Sequence, residues 1–159
     1  MQTHAAAELF PLIEGADFER LVADIAERGL LESLTVTPDG QLLDGRNRSR
    51  ACAMLPLGIT PTWRTYDGDD PLGYVLSVNL HRRHLNESQR AMVAAKLANL
   101  RQGARTDLEL SANLQNISQA GAATMLSVST RSVAAVSRIH NTGPAEVIAA
   151  VQHGRLVVS

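Results

Sequence analysis

Every stretch of this chain that is typical of a β-strand lies within its first 66 residues. The three stretches are "LTVT" (34–37), "LL" (42–43) and "PTWRTY" (61–66), and a "PDGQ" turn separates the first two. Later in the chain, apolar residues recur with helical spacing instead. The sequence therefore predicts an α+β protein, with a small mixed α/β domain over residues 1–83 and an all-helical domain over residues 84–159. The aperiodic stretch 103–113 is the best candidate for a linker.

Composition restricts the core and the kinds of site that the chain can build. Hydrophobic residues make up 45% of the sequence but aromatic residues only 3%, which favours a helix-rich core of Leu, Val, Ile and Ala. The single cysteine, Cys52, excludes an internal disulfide and a multi-cysteine zinc site, and it is expected to be buried and inert. No signal peptide or membrane-spanning stretch is visible, so we predict a cytoplasmic protein with no membrane partner. We also predict that the chain has no metal site.

The net charge of −1 conceals two halves of opposite charge. Residues 1–80 contain 6 Arg and 12 Asp or Glu, whereas residues 81–159 contain 9 Lys or Arg and 4 Asp or Glu. No acidic residue occurs from Leu110 to Ala145. A long acid-free stretch with scattered Arg, Ser, Thr and Asn suits contact with a phosphate backbone. Composition alone is equally compatible with a neutral, solvated surface rich in Ser and Ala.

Local signals predict where two of the helices begin. The segment 17–28 carries a helical apolar stripe, which Asp17 is expected to cap and Gly29 to end. The sequence "NESQ" (86–89) is a capping box, in which Asn86 and Gln89 each bond the backbone of the other.

The segment 118–139 has the layout of a helix-turn-helix. Ala122 and Ala123 are small enough for two helices to cross closely, and Ser129 can cap the second helix. Ser127 stands at the turn position where Gly is most common, and a plain helical hairpin is the alternative interpretation. On the helix-turn-helix interpretation, Arg131 would read a guanine. The DNA-binding residues would be Ser118, Gln119, Ser129, Thr130, Arg131, Ser132 and Arg138.

The stretch "LLDGRNRSRACAML" (42–55) places three arginines at the start of a predicted helix. A helix start already carries partial positive charge, so this arrangement is unfavourable unless a negative group is held there. That group could be a phosphate. Alternatively, Arg46, Arg48 and Arg50 pair with the acidic first half of the chain, for example with Asp44.

Five segments in order resemble the ParB/sulfiredoxin-like superfamily, specifically ParB-like DNA-binding proteins. The resemblance runs from about Asp17 to Ser159, and "DGRNRSRA" is similar to the family's Gly-Glu-Arg-Arg-x-Arg-Ala box. The other four segments are "DIAERGLLESLTV", "VNLHRRHLNESQRA", "ISQAGAATMLSVSTRSVAAVSRI" and "PAEVIAAVQHGRLVVS". The resemblance implies a ParB/sulfiredoxin-like first domain, a helix-turn-helix second domain, DNA as a partner and a homodimer. It also implies a role in plasmid or chromosome partition, or in transcription control.

In the family, two arginine-containing boxes cradle the phosphates of cytidine triphosphate. The resemblance implies that this chain responds to CTP or to another nucleoside triphosphate with Mg²⁺. The chain departs from the family at Arg46 and Val78, which replace glutamates, and at Asn47, which replaces an arginine. By position, the phosphate-binding residues would be Gly45, Arg46, Asn47, Arg48 and Arg50 on one side, with Asn79 and Arg82 on the other.

An enzyme on the same scaffold is the alternative function, although a binding protein is favoured. Glu32 stands where ParB proteins usually have a glutamine, and some kinase-like members of the superfamily use an acid in this region. A carboxylate beside clustered arginines could act as a general base in a small nucleotide-dependent phosphotransferase or NTPase. Sulfiredoxin activity is excluded because Asn47 occupies the position of the required cysteine.

Overall fold

The computed structural model describes residues 1–55, 59–82, 85–99 and 117–158, and for residues 81 and 82 it describes the backbone alone. The described residues form seven α-helices and one three-stranded sheet, so the predicted mixed α+β class is confirmed. The chain divides into two compact units, residues 1–75 and residues 76–159. The predicted domain limits stay a prediction, and the predicted linker lies outside the described residues.

The sheet of the first unit is formed by the three strands that the sequence predicts. They are β1 (Leu34–Val36), β2 (Leu42–Asp44) and β3 (Trp63–Thr65), and β1 lies in the middle. β2 is antiparallel to β1, whereas β3 is parallel to it. The backbone of residues 2–4 bonds Leu42 at the outer edge of β2, so that this edge is covered.

Two helices of the first unit pack on each other and enclose a small apolar core. They are α1 (Gly15–Arg28) and α2 (Arg46–Met54), and a short 3-10 helix, Ala5–Leu9, precedes them. Burial raises the pKa of the Cys52 thiol, as expected for an inert cysteine. The core residues that the two helices share are Phe18, Ile25, Ala51 and Cys52.

The predicted ends of α1 are half right. Gly29 follows the last residue of α1 with φ 76°, which suits a glycine, so the predicted end is confirmed. The predicted cap is wrong, because α1 begins at Gly15 and Asp17 lies in its first turn. There the Asp17 carboxylate accepts a hydrogen bond from Arg20 in the next turn instead of capping the backbone.

Helix α3 (Pro71–Arg82) spans the boundary between the units, and the described part of the second unit contains four further helices. They are α4 (Glu87–Asn99), α5 (Gln119–Met125), α6 (Thr130–Thr142) and α7 (Ala145–Gln152). Helices α5, α6 and α7 all contact α4, whose small buried residues Ala91, Ala94 and Ala95 allow close approach. None of the described helices is long and apolar enough to cross a membrane.

The predicted capping box at the start of α4 is confirmed. The Asn86 side chain accepts a hydrogen bond from the Gln89 backbone N–H at 2.9 Å, and the Gln89 side chain accepts one from the Asn86 N–H at 3.0 Å. The same two side chains donate to the carbonyls of Gln152 and Gly154 at the end of α7. One local motif therefore both starts α4 and fastens α7 to it.

Candidate nucleic-acid interface and phosphate site

The arginine stretch begins at a glycine that no other residue could replace without strain. Gly45 has φ 99°, in the left-handed region, and a Cβ there would lie 2.5 Å from Cδ2 of Leu34. Because Gly45 joins β2 directly to α2, it brings the arginines at the helix start against β1. This close approach is the structural reason for the Asp-Gly pair that opens the stretch.

Arg48 is neutralised by two carboxylates of the first unit. Its Nη1 lies 2.7 Å from Oε2 of Glu32, and its Nη2 lies 3.2 Å from Oδ2 of Asp44. Nη2 also donates to the Ser33 carbonyl oxygen, and the Arg48 side chain is only 18% exposed. The expected pairing of an arginine with Asp44 is confirmed for Arg48. The structure also brings two predicted site residues, Glu32 and Arg48, into direct contact.

Residues 7–13 are called the amino-terminal segment here, and Arg46 binds two of its backbone carbonyls. Its Nη1 donates to the carbonyl oxygens of Ala7 at 2.9 Å and Phe10 at 3.3 Å. Burial lowers the pKa of Arg46, and the nearby charge of Glu8 opposes that shift.

Asn47 and Arg50 bind the end of the same segment. The Asn47 side-chain oxygen accepts a hydrogen bond from the Ile13 N–H at 3.0 Å, and Nη1 of Arg50 donates to the Ile13 carbonyl at 3.2 Å. The Arg50 guanidinium also lies 4.3 Å from the centre of the Phe18 ring, a cation–π distance. The arginine stretch thus holds the amino-terminal segment against α2.

The second predicted phosphate box belongs to α3. Asn79 is 8% exposed and lies in the second unit, and the Arg82 side chain lies outside the described part of the chain. The predicted convergence of the two boxes therefore stays a prediction. Among the described residues, no group of three or more His, Cys, Asp or Glu side chains is arranged to hold a metal ion.

In the second unit, two serines cap the successive helices α5 and α6. The Ser118 hydroxyl accepts a hydrogen bond from the Gly121 N–H at 3.1 Å, and the Ser129 hydroxyl accepts one from the Ser132 N–H at 2.9 Å. The cap expected at Ser129 is confirmed. Between the helices, Ser127 has φ 51°, which explains why glycine is the usual residue at this turn position.

The predicted DNA-binding residues divide into an exposed group and one buried serine. Ser132 is 6% exposed, and its hydroxyl bonds Ser129 at 2.8 Å and the Glu87 carboxylate at 3.3 Å. It therefore lies on the packed side of α6, with Val133 and Val136. The exposed residues are Ser118, Gln119, Ser129, Thr130, Arg131 and Arg138.

All the charged residues in this part of the sequence are positive. Residues 117–145 contain no Asp or Glu, and within the part of the chain that the structure describes, the guanidinium groups of Arg131 and Arg138 have no partner. Sequence reasoning missed one residue here, Glu87, which reaches the start of α6 from α4. No local signal could have paired it with Ser132, because the two residues are 45 positions apart.

This chain is similar to proteins of solved structure. No family model matches the sequence, and no curated protein matches it. One similar solved structure is the C-terminally truncated chromosome-partitioning protein ParB from Caulobacter crescentus, complexed with CTP-gamma-S. It is 24% identical, the match covers 92% of this chain and 77% of that chain, and the TM-score is 0.39. A likeness at this level assigns neither a ligand nor a DNA site to this chain.

Proposed function

We propose that the protein binds DNA through the start of α6, as a ParB-like protein of plasmid or chromosome partition or of transcription control. One observation carries the proposal: Thr130 and Arg131 are exposed at the start of α6, while Val133 and Val136 on its other face are fully buried. In helix-turn-helix proteins, the exposed start of the second helix enters the major groove. Helices α5 and α6, joined by a tight turn, have the order and caps that such a motif requires.

The hydrogen-bond donors on this face suit two kinds of DNA contact, one to bases and one to phosphates. Arg131 is the one residue of the first turn of α6 with the reach for a bidentate contact to guanine. Ser129 and Arg138 suit contacts to phosphates, which position a protein without reading sequence. With a single base-reading arginine, one copy of the chain would discriminate weakly between sequences. We therefore propose that a homodimer supplies the second half-site.

Titration of duplex DNA at two salt concentrations tests this function. Replacing Arg131 by Ala is expected to weaken binding by roughly 1–3 kcal/mol if the side chain reads a base. Arg155→Ala is the matched control, because it removes the same charge from an exposed position outside α5 and α6. Binding that responds neither to salt nor to Arg131→Ala would leave α5 and α6 as a plain helical hairpin.

We further propose that the start of α2 binds the phosphates of CTP, or of another nucleoside triphosphate with Mg²⁺. The start of a helix offers backbone N–H groups to an anion, and three arginines lie beside this one. Nε of Arg48 is a buried donor without an acceptor among the described residues. Arg46 and Arg50 donate to backbone carbonyls through Nη1, so their other N–H groups would serve the phosphate oxygens. Asn79 and Arg82 enter this proposal through the family resemblance alone.

Calorimetry with each of the common nucleoside triphosphates, with and without Mg²⁺, tests the phosphate site. Arg48→Lys is expected to weaken binding, because Lys keeps the charge but loses the planar fork that matches phosphate oxygens. Arg64→Lys is the matched control at an exposed arginine of the same unit. If no nucleotide releases or absorbs heat, the arginine stretch serves only to hold the amino-terminal segment.

The contact between Glu32 and Arg48 favours one alternative, a nucleotide-dependent phosphotransferase or NTPase. It holds a carboxylate beside the proposed phosphate site, where a general base would be useful. Phosphate release from CTP and ATP is the readout. Release by the wild type that Glu32→Gln abolishes would establish an NTPase, whereas nucleotide binding without release would exclude the NTPase.

A further inference from the structure

The start of α4 is bonded to the start of α6 through a short chain of polar groups. Glu87, the first residue of α4, is exposed, and its Oε1 accepts a hydrogen bond from the Ser132 hydroxyl at 3.3 Å. The Ser132 and Ser129 hydroxyls are 2.8 Å apart, and Ser129 caps α6. A full negative charge is therefore held two hydrogen bonds away from the residue that begins the proposed DNA-reading helix.

This carboxylate is an exception in the charge pattern of the second unit. The described part of that unit contains two acidic residues, Glu87 and Glu146, and Glu146 lies in the first turn of α7. Of the two, Glu87 is the one that bonds a residue of α6. It is favourably placed in the folded protein, since the starts of both α4 and α6 attract an anion. The same location is where a DNA phosphate would approach Ser129 and the free N–H groups of α6.

We propose that Glu87 sets the affinity of this protein for DNA, as a fixed anion that repels phosphates at the start of α6. The inference rests on the proposed DNA binding by α6. A phosphate that contacts Ser129 lies about one Debye length or less from the Glu87 carboxylate, so the repulsion is only partly screened at physiological salt, where that length is about 8 Å. Glu87 keeps binding weak at moderate salt, so that one copy of the chain is not held on DNA by charge alone.

Glu87→Gln separates the charge from the hydrogen bond. The Gln side chain keeps an oxygen that can accept from Ser132, but it carries no charge. We expect this variant to bind duplex DNA roughly threefold to tenfold more tightly than the wild type at about 0.1 M salt. The ratio of affinities should fall towards one at about 0.5 M salt, because screening then removes the repulsion from the wild type. Glu146→Gln is the matched control, since it removes the same charge from the first turn of another helix of the unit.

Two further variants keep the inference open to refutation if Glu87→Gln folds poorly in a thermal unfolding check. Glu87→Ala removes the charge and the contact together, and its affinity must also rise. Glu87→Lys reverses the charge, and its affinity must rise more than that of Glu87→Gln.

The outcomes distinguish the two proposals. If neither the wild type nor Glu87→Gln binds DNA, the proposed function is wrong and the inference falls with it. If the wild type binds and Arg131→Ala weakens binding, the proposed function holds, and equal affinities for Glu87→Gln and Glu146→Gln overturn the role of Glu87 alone. A gain for Glu87→Gln that persists unchanged at high salt also overturns it, because a repulsion between charges must be screened.

Discussion

Helices α2 and α6 both carry arginines, and the surroundings of those arginines differ completely. In the first unit, Arg46 and Arg50 donate to backbone carbonyls, while Arg48 is ion-paired with two carboxylates. In the second unit, Arg131 and Arg138 are exposed and have no partner among the described residues. The same residue type is therefore held by protein groups in one unit and is left exposed in the other. The position of an arginine at a helix start does not decide between these roles.

The distribution of acidic residues accounts for much of this difference. Residues 1–80 contain 12 of the 16 Asp and Glu residues, so an arginine there finds carboxylates close by. A partly buried guanidinium is tolerable only when it is paired and hydrogen-bonded, and the first unit meets that condition. Residues 117–145 contain no acid, so the arginines there stay in water with their charge unmatched. An unmatched charge costs little at the surface, and it is what a polyanion requires.

The largest effect that would sharpen this comparison is expected from Arg48→Ala. Removing the Arg48 guanidinium leaves the carboxylates of Glu32 and Asp44 together without their shared cation, and the Asp44 side chain is only 15% exposed. Removing one partner of a fully buried pair costs 3–5 kcal/mol, so this partly exposed pair should cost about 2–3 kcal/mol. Urea unfolding followed by circular dichroism measures the loss.

Arg131→Ala is the control in the same experiment. Because its side chain is exposed and without a partner among the described residues, its removal should change the free energy of unfolding by less than about 0.5 kcal/mol. Equal losses for the two variants would break the comparison, and would mean that Arg131 also serves the fold.

Much of the local structure could be predicted from the sequence, because it depends on residues a few positions apart. The Asn86 and Gln89 capping box and the Ser129 cap are bonds between neighbours along the chain. The end of α1 at Gly29 depends on the conformational freedom of a single glycine. The three strands could also be predicted locally, since each is a short run of residues that favour strands next to turn residues.

The contacts that define the candidate sites could not be predicted, because they join distant parts of the chain. Arg46 lies 39 positions from Ala7, and Asn47 lies 34 positions from Ile13. Nothing in the amino-terminal segment indicates that its carbonyls need donors from α2. The charge of three closely spaced arginines suggested a ligand, and only the packing of the first unit shows that each of them already donates to a protein group.

A smaller effect is expected in the turn between α5 and α6. Ser127 has φ 51°, where a Cβ is unfavourable, so Ser127→Gly relieves strain. The gain is reduced by the greater freedom of glycine in the unfolded chain, and we expect about 0.5–1 kcal/mol of added stability. Ser127→Ala, which keeps the Cβ, is the control and should show no gain. A loss of stability in Ser127→Gly would mean that the serine side chain makes a contact more valuable than the strain it imposes.

The smallest effect concerns the cap that begins the amino-terminal 3-10 helix. Nδ1 of His4 accepts a hydrogen bond from the Ala6 N–H at 3.2 Å, which requires the neutral imidazole. Burial lowers the pKa of His4 below its ordinary value of 6.5, and the charge of Asp39 opposes that shift. Because the folded pKa lies below the unfolded one, the unfolded chain binds more protons at pH values between the two. The stabilisation is therefore present above pH 6.5 and is lost as the pH falls through the folded pKa.

His4→Asn keeps an acceptor that does not titrate, and the difference in unfolding free energy between the two proteins isolates this histidine from the others. We expect that difference to change by less than about 1 kcal/mol between pH 7 and pH 5, in favour of the variant at the lower pH. Parallel pH profiles for the two proteins would show that the cap does not depend on the neutral ring.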